Sequence, residues 1–261
     1  MNFPEKVKGA IFDVDDTLLD NQVGVNIGTI HEVTRLKAIL HAAHKYELKE
    51  LMTLTEQENY DAFMKSHYHS LAGAVWQVLF EKGVVNSNEL DPEHELLKEI
   101  IALKNELHAG TLRQYGRTVL HAVETVALLA ETYDIDNKMA IASSAVRRDI
   151  NIFLDEITSL RHYFPDERVI SFEDIPHGLG KPHPEPFHRA FATLGLPDDQ
   201  RSSVVAFDDD PRGIMSAKEA GLFVCALTTR FNADDPLLLK AEPDLIIEQY
   251  ADIRHVIRGI S

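Results

Sequence analysis

Short apolar segments alternate with helical ones over most of the chain, and this alternation is the strongest constraint on its fold. Strands are predicted at residues 7–12, 138–142, 168–171, 203–207, 222–227 and 245–247. Helices are predicted at residues 119–131, 145–156, 184–194 and 213–220. Strands joined through helices form parallel sheets with right-handed crossovers, and the helices cover both faces. We therefore expect an α/β core built on one parallel sheet.

Residues 21–110 have a different character, with many helix formers and few β-branched runs. Apolar residues recur at three- and four-residue spacings over residues 30–46, 57–80 and 93–108, which predicts amphipathic helices. We expect an all-helical domain at residues 21–110, inserted into a core domain formed by residues 1–20 and 111–261.

The charge balance restricts the partners that the chain can have. Lys and Arg number 26 and Asp and Glu number 42, so the net charge is −16. This charge disfavours nucleic acid and anionic lipid, and a small-molecule substrate is expected instead. No apolar run approaches the roughly 20 residues that cross a bilayer, so no membrane partner is expected. Cys225 is the only cysteine, which fits a reducing, cytoplasmic setting. The protein is expected to be a monomer or a homodimer.

Carboxylates collect where two of the predicted strands end. Asp13 and Asp15 follow the first strand, and Asp208 and Asp209 follow the strand at residues 203–207. Ligands of parallel α/β sheets bind beyond the carboxyl ends of the strands, so these side chains should meet at one edge. Two carboxylates about 4 Å apart repel by about 4 kcal/mol at an effective dielectric constant of about 20. A divalent cation would relieve that repulsion, and an all-oxygen ligand set favours Mg²⁺.

The first pair of aspartates has two interpretations. In an extended chain, residues two apart project to the same side at roughly 6 to 7 Å, so Asp13 and Asp15 could flank one reacting atom. One could then attack while the other handles a proton. Aspartate is also a common turn residue, and the turn interpretation stays open on this segment alone. For Asp210, which precedes Pro211, we expect the N-cap of a helix.

A lysine and two serines are the remaining candidates in the core. Lys181 lies between Gly180 and Pro182, and it is either a solvated surface charge or a cation that neutralises a carboxylate and a phosphate oxygen together. Ser143 and Ser144 follow the strand at residues 138–142. One hydroxyl could cap the next helix while the other binds an anion, which the N–H groups at a helix start also favour.

Four segments, taken together, resemble the motifs of the haloacid dehalogenase superfamily of phosphatases. In chain order they are IFDVDDTLLD, AIASS, GKPHPEPF and FDDDPRG, and they extend over nearly the whole chain. The resemblance implies a Rossmann-like parallel sheet with helices on both faces. The helical insertion resembles the C1-type cap of the group that contains phosphoglycolate phosphatase and β-phosphoglucomutase.

The resemblance also implies roles for individual residues. Asp13 would be the nucleophile that forms an aspartyl phosphate, and Asp15 would protonate the leaving oxygen and then activate water. Mg²⁺ would be held by the Asp13 carboxylate, the Asp15 carbonyl and Asp209, with Asp208 ligating directly or through water. Ser143 aligns best with the phosphate-binding hydroxyl, and Lys181 with the motif-three base.

Two departures from the family pattern concern aspartates. Asp16 replaces the common glycine of the first motif and is expected to face away from the site. The run of three aspartates leaves two possible metal pairs, Asp208 with Asp209 or Asp209 with Asp210, and the spacing to Gly213 favours the first.

The helical insertion offers few candidate ligands. Its seven histidines lack a clear metal-ligand spacing, so zinc binding is not favoured. The segment KSHYHSLAG could form a polar substrate loop through His67, His69 or Ser70, although solvated helix faces are the simpler interpretation.

Three hypotheses for the function follow. The first is a Mg²⁺-dependent phosphatase that hydrolyses a small phosphorylated metabolite through an aspartyl phosphate. The second is a phosphomutase of the β-phosphoglucomutase type, which would use the same aspartates. The third is a non-catalytic phosphoacceptor module, and Asp15 argues against it because general acid-base help promotes turnover rather than storage of the phosphoryl group.

Overall fold

The computed structural model describes residues 3–24, 28–66 and 70–258. The chain divides into two compact units. The described residues of the first fall within 1–20 and 117–261, and those of the second within 21–116. In chain order the strands are β1 (Gly9–Phe12), β2 (Leu19–Asp20), β3 (Gln22–Gly24), β4 (Gly28–Thr29), β5 (Arg117–Thr118), β6 (Met139–Ala142), β7 (Val169–Ile170), β8 (Val204–Asp208), β9 (Phe223–Leu227) and β10 (Leu245–Ile247). The α-helices are α1 (Ile30–Lys45), α2 (Glu56–Lys65), α3 (Leu71–Glu81), α4 (Glu95–Tyr115), α5 (Ala122–Tyr133), α6 (Arg147–Ile152), α7 (Glu185–Thr193), α8 (Pro211–Glu219), α9 (Pro236–Lys240) and α10 (Tyr250–Arg258).

The first unit contains a six-stranded sheet in the order β10-β9-β8-β1-β6-β7. Every neighbouring pair in it is parallel. The predicted parallel α/β core is therefore confirmed. The central strand β1 pairs with β8 on one side and β6 on the other, so the residues that follow these three strands share one edge of the sheet.

Alternating side chains of β1 and β8 face the two layers that enclose the sheet. Ile11 and Ala206 belong to a buried cluster with apolar residues of α7 and α8. Phe12 and Phe207 are stacked on each other, with ring centroids 4.7 Å apart, and the ring of Tyr250 at the start of α10 lies 6.0 Å from Phe207. The strand ends are thus held rigidly by packing on both faces.

The regular structure in the described part of the second unit is helical apart from the short pair β3 and β4, and α1 to α4 enclose its apolar core. Capping boxes begin α1 and α2: the Thr29 and Thr55 hydroxyls accept hydrogen bonds from the N–H groups of Glu32 and Glu58. The segment at residues 57–80, predicted to be helical, contains two helices, α2 and α3. The boundary predicted at residue 110 falls inside α4, because that helix continues to Tyr115 and the unit ends at Gly116.

Among the described residues, no helix combines the length and the apolar character that a transmembrane span requires.

Candidate active site

The turn that follows β1 presents Asp13 at the edge of the sheet. Asp13 donates its N–H to the carbonyl oxygen of Phe207 at 2.9 Å, so it still belongs to the sheet, and only 5% of the residue is exposed. The N–H groups of Leu18 and Leu19 both donate hydrogen bonds to the carbonyl oxygen of Val14. The chain therefore reverses at once, and the half-buried Asp15 lies within this turn, bridged to Leu19.

Asp16 stands at the tightest point of the turn, with a φ of +57°. That left-handed conformation suits glycine, and aspartate is among the few other residues that adopt it readily. Asp16 is only 8% exposed, and its carboxylate lies 3.7 Å from Nε of Arg230. The expectation that Asp16 faces away from the site stays a prediction.

Asp208 and Asp209 are both buried at the end of β8. The Asp208 Oδ1 atom accepts the N–H of Asp210 at 3.0 Å, while Asp210 itself caps α8 by accepting the N–H of Arg212 at 2.8 Å. The predicted N-cap at Asp210 is confirmed. A candidate metal-binding group is formed by oxygen atoms of Asp13, Asp208 and Asp209, which lie within 4.8 Å of one another. Asp210 is not part of it.

Lys181 links the two strand ends. Its Nζ atom donates to Oδ1 of Asp13 at 2.6 Å and to Oδ2 of Asp208 at 2.7 Å, and its side chain is 7% exposed. Burial lowers the pKa of Lys181, but the two carboxylates outweigh it and leave the pKa above its ordinary value. Lys181 is therefore a protonated bridge and not the solvated surface charge of the simpler interpretation.

The site carries more negative charge than Lys181 offsets. Burial, reinforced by neighbouring carboxylates, raises the pKa of Asp13 and of Asp209 well above the ordinary value, although Lys181 opposes the rise at Asp13. Burial also raises the pKa of Asp208. These groups are costly to ionise together without a further positive charge.

The residues fit a hard divalent cation on two counts. The donor set of Asp13, Asp208 and Asp209 is all carboxylate oxygen, which suits Mg²⁺. In addition, Oδ2 of Asp209 is buried and accepts no hydrogen bond from the described residues. A buried carboxylate oxygen in that state is available as a metal ligand.

The two serines that follow β6 differ in their exposure to solvent. Ser143 is buried, donates its N–H to the Ile170 carbonyl at 2.9 Å, and accepts the N–H of Ala145 on its hydroxyl at 3.1 Å. Ser144 is exposed. Neither caps α6, whose N-cap is Val146, so the capping interpretation of these serines is wrong. Since β6 pairs with β1, Ser143 lies at the same sheet edge as Asp13.

Three residues of the site were missed by the sequence interpretation. Thr17 donates its hydroxyl to Oδ1 of Asp209 at 3.0 Å, and both residues are buried. Thr229 donates its hydroxyl to the Asp16 carbonyl at 2.6 Å, and Arg230 follows it. The signal for the last two was available, because they directly follow a strand of the same sheet, β9.

Three candidate substrate residues belong to the helical unit. His67 and His69 lie outside the described residues. Ser70 is the N-cap of α3, where its hydroxyl accepts the N–H of Gly73 at 3.0 Å. That hydroxyl thus already has a structural partner.

Residues 7–221 match the model of one protein family, described as haloacid dehalogenase-like hydrolases. The chain belongs to this family. Its predicted membership is thereby confirmed, and the aspartates, the serine and the lysine of the site all lie within the matched residues.

Curated relatives of this hydrolase include phosphatases of small phosphorylated compounds. Glycerol-1-phosphate phosphohydrolase 1 of Saccharomyces cerevisiae is 33% identical over 155 residues, which are 58% of this chain and 59% of that protein. The pyrophosphatase PpaX of Anoxybacillus flavithermus is 26% identical over 170 residues, which are 64% of this chain and 72% of that protein. The match to the yeast protein therefore spans only about three fifths of its length.

Solved structures of the family share the fold. A family IA HAD hydrolase, variant 3, from Entamoeba histolytica superposes with a TM-score of 0.67 and 17% identity. The superposition covers 97% of this chain and 99% of the other.

Proposed function

We propose that this protein is a Mg²⁺-dependent phosphatase that hydrolyses the phosphoric monoester of a small metabolite through an aspartyl phosphate on Asp13. The observation that carries the proposal is the bridge of Lys181 between Asp13 and Asp208, beside the buried Asp209. Family membership and the names of the curated relatives support it.

The first step is attack of Asp13 on phosphorus. Lys181 holds Oδ1 of Asp13, which directs the other carboxylate oxygen to the substrate. A new bond forms between that oxygen and phosphorus while the bond from phosphorus to the ester oxygen breaks. Asp15, initially protonated, gives its proton to the departing oxygen.

The second step hydrolyses the aspartyl phosphate. The Asp15 carboxylate takes a proton from water as the water oxygen bonds to phosphorus, and the bond between phosphorus and Asp13 breaks. Inorganic phosphate leaves, and the Asp13 carboxylate is restored. The buried Ser143 and the ammonium of Lys181 are proposed to hold the phosphoryl oxygens during both steps.

Asp13, Asp208 and Asp209, with the Asp15 carbonyl, would hold Mg²⁺, which would supply positive charge against the phosphoryl oxygens. Residues 21–116 are proposed to act as the cap that excludes water from the aspartyl phosphate, and substrate contact by His67, His69 or Ser70 stays a prediction. A cytoplasmic location and a monomeric or homodimeric state also stay predictions.

The test is phosphate release from glycerol 1-phosphate, pyrophosphate and a panel of sugar and organic-acid phosphates. Release from a few related compounds is expected with Mg²⁺, and it should be lost in EDTA and in Asp13→Asn. The matched control is Asp234→Asn, which makes the same change at an exposed position and should leave release intact.

Two other outcomes would replace the proposal. An isomerised sugar phosphate without free phosphate would indicate a phosphomutase. A stable aspartyl phosphate after incubation with acetyl phosphate and Mg²⁺, without steady-state hydrolysis, would indicate a phosphoacceptor module.

A further inference from the structure

Arg230 brings a second cation to the acidic site, from the loop that follows β9. Its Nε atom lies 3.7 Å from Oδ2 of Asp16 and 4.0 Å from Oδ2 of Asp209, and its Nη1 atom lies 3.5 Å from Oδ2 of Asp210. The preceding residue, Thr229, anchors this loop to the turn after β1 through its hydrogen bond to the Asp16 carbonyl. The guanidinium is thus tethered next to three carboxylates.

The contact with Asp209 is electrostatic. A separation of 4.0 Å is too long for a hydrogen bond, so Arg230 does not fix the position of Asp209 Oδ2. The orientation of Asp209 is fixed from its other oxygen, which accepts the hydroxyl of Thr17. Arg230 therefore offsets the charge of Asp209 without holding it in place.

A direct role of Arg230 in binding a substrate anion is less well supported. The three neighbouring carboxylates offset the charge of its guanidinium, which reduces its attraction for a further anion. The same proximity makes it a competitor for any cation that Asp209 would bind.

We infer that Arg230 is a built-in counterion that weakens the affinity of the Asp13, Asp208 and Asp209 group for divalent cations. This inference rests on the cation site of the proposed function. Its physical basis is the repulsion between a fixed guanidinium and an ion that approaches the free oxygen of Asp209. Because the Arg230 side chain is 40% exposed, the repulsion is screened by solvent and salt, and its effect is moderate.

The inference is tested by direct cation binding to the full chain, without substrate. Free Mn²⁺ is counted by electron paramagnetic resonance during a titration, and Mg²⁺ is then added as a competitor. We expect Arg230→Gln to bind Mn²⁺ about three- to tenfold more tightly than the unsubstituted protein. Arg230→Lys keeps the charge, so its affinity for Mn²⁺ should stay within about twofold of the unsubstituted protein. In 1 M KCl the difference in affinity between Arg230→Gln and the unsubstituted protein should shrink.

Arg212 provides the matched control. Its guanidinium also pairs with Asp210, at 2.8 Å, and its side chain is 61% exposed. Its charge acts on Asp208 and Asp209 too, but among the described residues it forms no ion pair with Asp209 within 4.0 Å, as Arg230 does. Arg212→Gln should therefore change the affinity for Mn²⁺ by less than Arg230→Gln does. Equal effects of the two substitutions would show that only overall charge matters and would overturn the specific role of Arg230.

The remaining outcomes separate this inference from the proposed function. Unchanged or weaker Mn²⁺ binding by a folded Arg230→Gln variant overturns the inference, while binding by the unsubstituted protein that is lost in Asp209→Asn leaves the cation site standing. If the unsubstituted protein binds neither ion, both the cation site and the inference fail. Thermal unfolding in EDTA checks that each variant is folded.

Discussion

The Cα atom of Gly213 lies directly against the carboxylate of Asp208: a Cβ atom added there would stand 2.0 Å from Oδ2 of Asp208 and 2.3 Å from Oδ1. The Asp208 carboxylate cannot easily move aside, because it is buried and accepts hydrogen bonds from Lys181 and from the N–H of Asp210. Gly213 is thus required by the close approach of α8 to the candidate active site, and not by backbone conformation.

Gly213→Ala should displace Asp208 and break its bridge to Lys181. We expect phosphate release to fall at least tenfold and the free energy of unfolding to fall by about 1–3 kcal/mol, as for other overpacked sites. Phosphate assays and urea unfolding measure the two effects. Gly110→Ala is the control, since an added Cβ there meets nothing within 4 Å and the position is helical, so that substitution should leave stability equal or higher. Full activity in Gly213→Ala would show that Asp208 can move freely.

Ser143 and Ser144 should behave differently when each is changed to alanine. The Ser143 hydroxyl is buried at the sheet edge, whereas Ser144 is exposed, so only the first is placed to meet a phosphoryl group. We expect Ser143→Ala to raise the inhibition constant of inorganic phosphate about tenfold, which corresponds to one lost hydrogen bond to a charged group. Ser144→Ala should leave it unchanged. Similar inhibition constants for the two variants would remove Ser143 from the phosphate site.

Among the described residues, Thr17→Val should leave neither carboxylate oxygen of Asp209 with a hydrogen bond, at nearly unchanged side-chain volume. The Thr17 hydroxyl is the donor to Oδ1 of Asp209, and Thr17 is fully buried. We expect the affinity for Mn²⁺ and the rate of phosphate release each to fall about tenfold, because the carboxylate is no longer oriented. Thr17→Ser keeps the hydroxyl and should recover most of both. Failure of serine to rescue would assign the loss to packing of the Thr17 methyl group.

Sequence patterns predicted the sheet and most of its edge because two separate signals agree there. The apolar runs of β1, β6, β8 and β9 are uninterrupted and buried, as parallel strands require. Asp13 follows β1 and Asp208 ends β8. Because a charged side chain is costly in an apolar layer, these aspartates mark the ends of the two strands.

The parts that were missed depend on contacts that no local pattern records. The hydrogen bond between Thr17 and Asp209 joins residues 192 positions apart, so the threonine appears in the sequence only as one more turn residue. Arg230, which lies near the carboxylates of Asp16 and Asp209, comes from the loop after β9.

The effect of Asp209→Asn on the free energy of unfolding should change sign when a divalent cation is added. Burial raises the pKa of Asp209 well above 3.8, so the folded protein binds this proton more tightly than the unfolded chain does. The stability that Asp209 contributes is therefore complete below about pH 3.8, and it is lost as the pH rises through the raised folded pKa. In EDTA at pH 7.5, Asp209→Asn should be more stable than the unsubstituted protein, and the difference in the free energy of unfolding should narrow as the pH falls. With Mg²⁺, the unsubstituted protein should gain stability and the variant should not.

The neighbouring Asp210 tests the sign of this prediction. Burial acts to raise its pKa, but the hydrogen bonds and charge of Arg212 outweigh burial and leave the pKa below its ordinary value. Its stabilising contribution is present above the unfolded pKa and is lost as the pH falls through the lowered folded pKa. Asp210→Asn should therefore destabilise the protein at pH 7.5 in EDTA, where Asp209→Asn stabilises it. Urea unfolding of both variants measures the sign of each effect. Destabilisation of the metal-free protein by Asp209→Asn would show that the ionised Asp209 carboxylate does not destabilise the folded state.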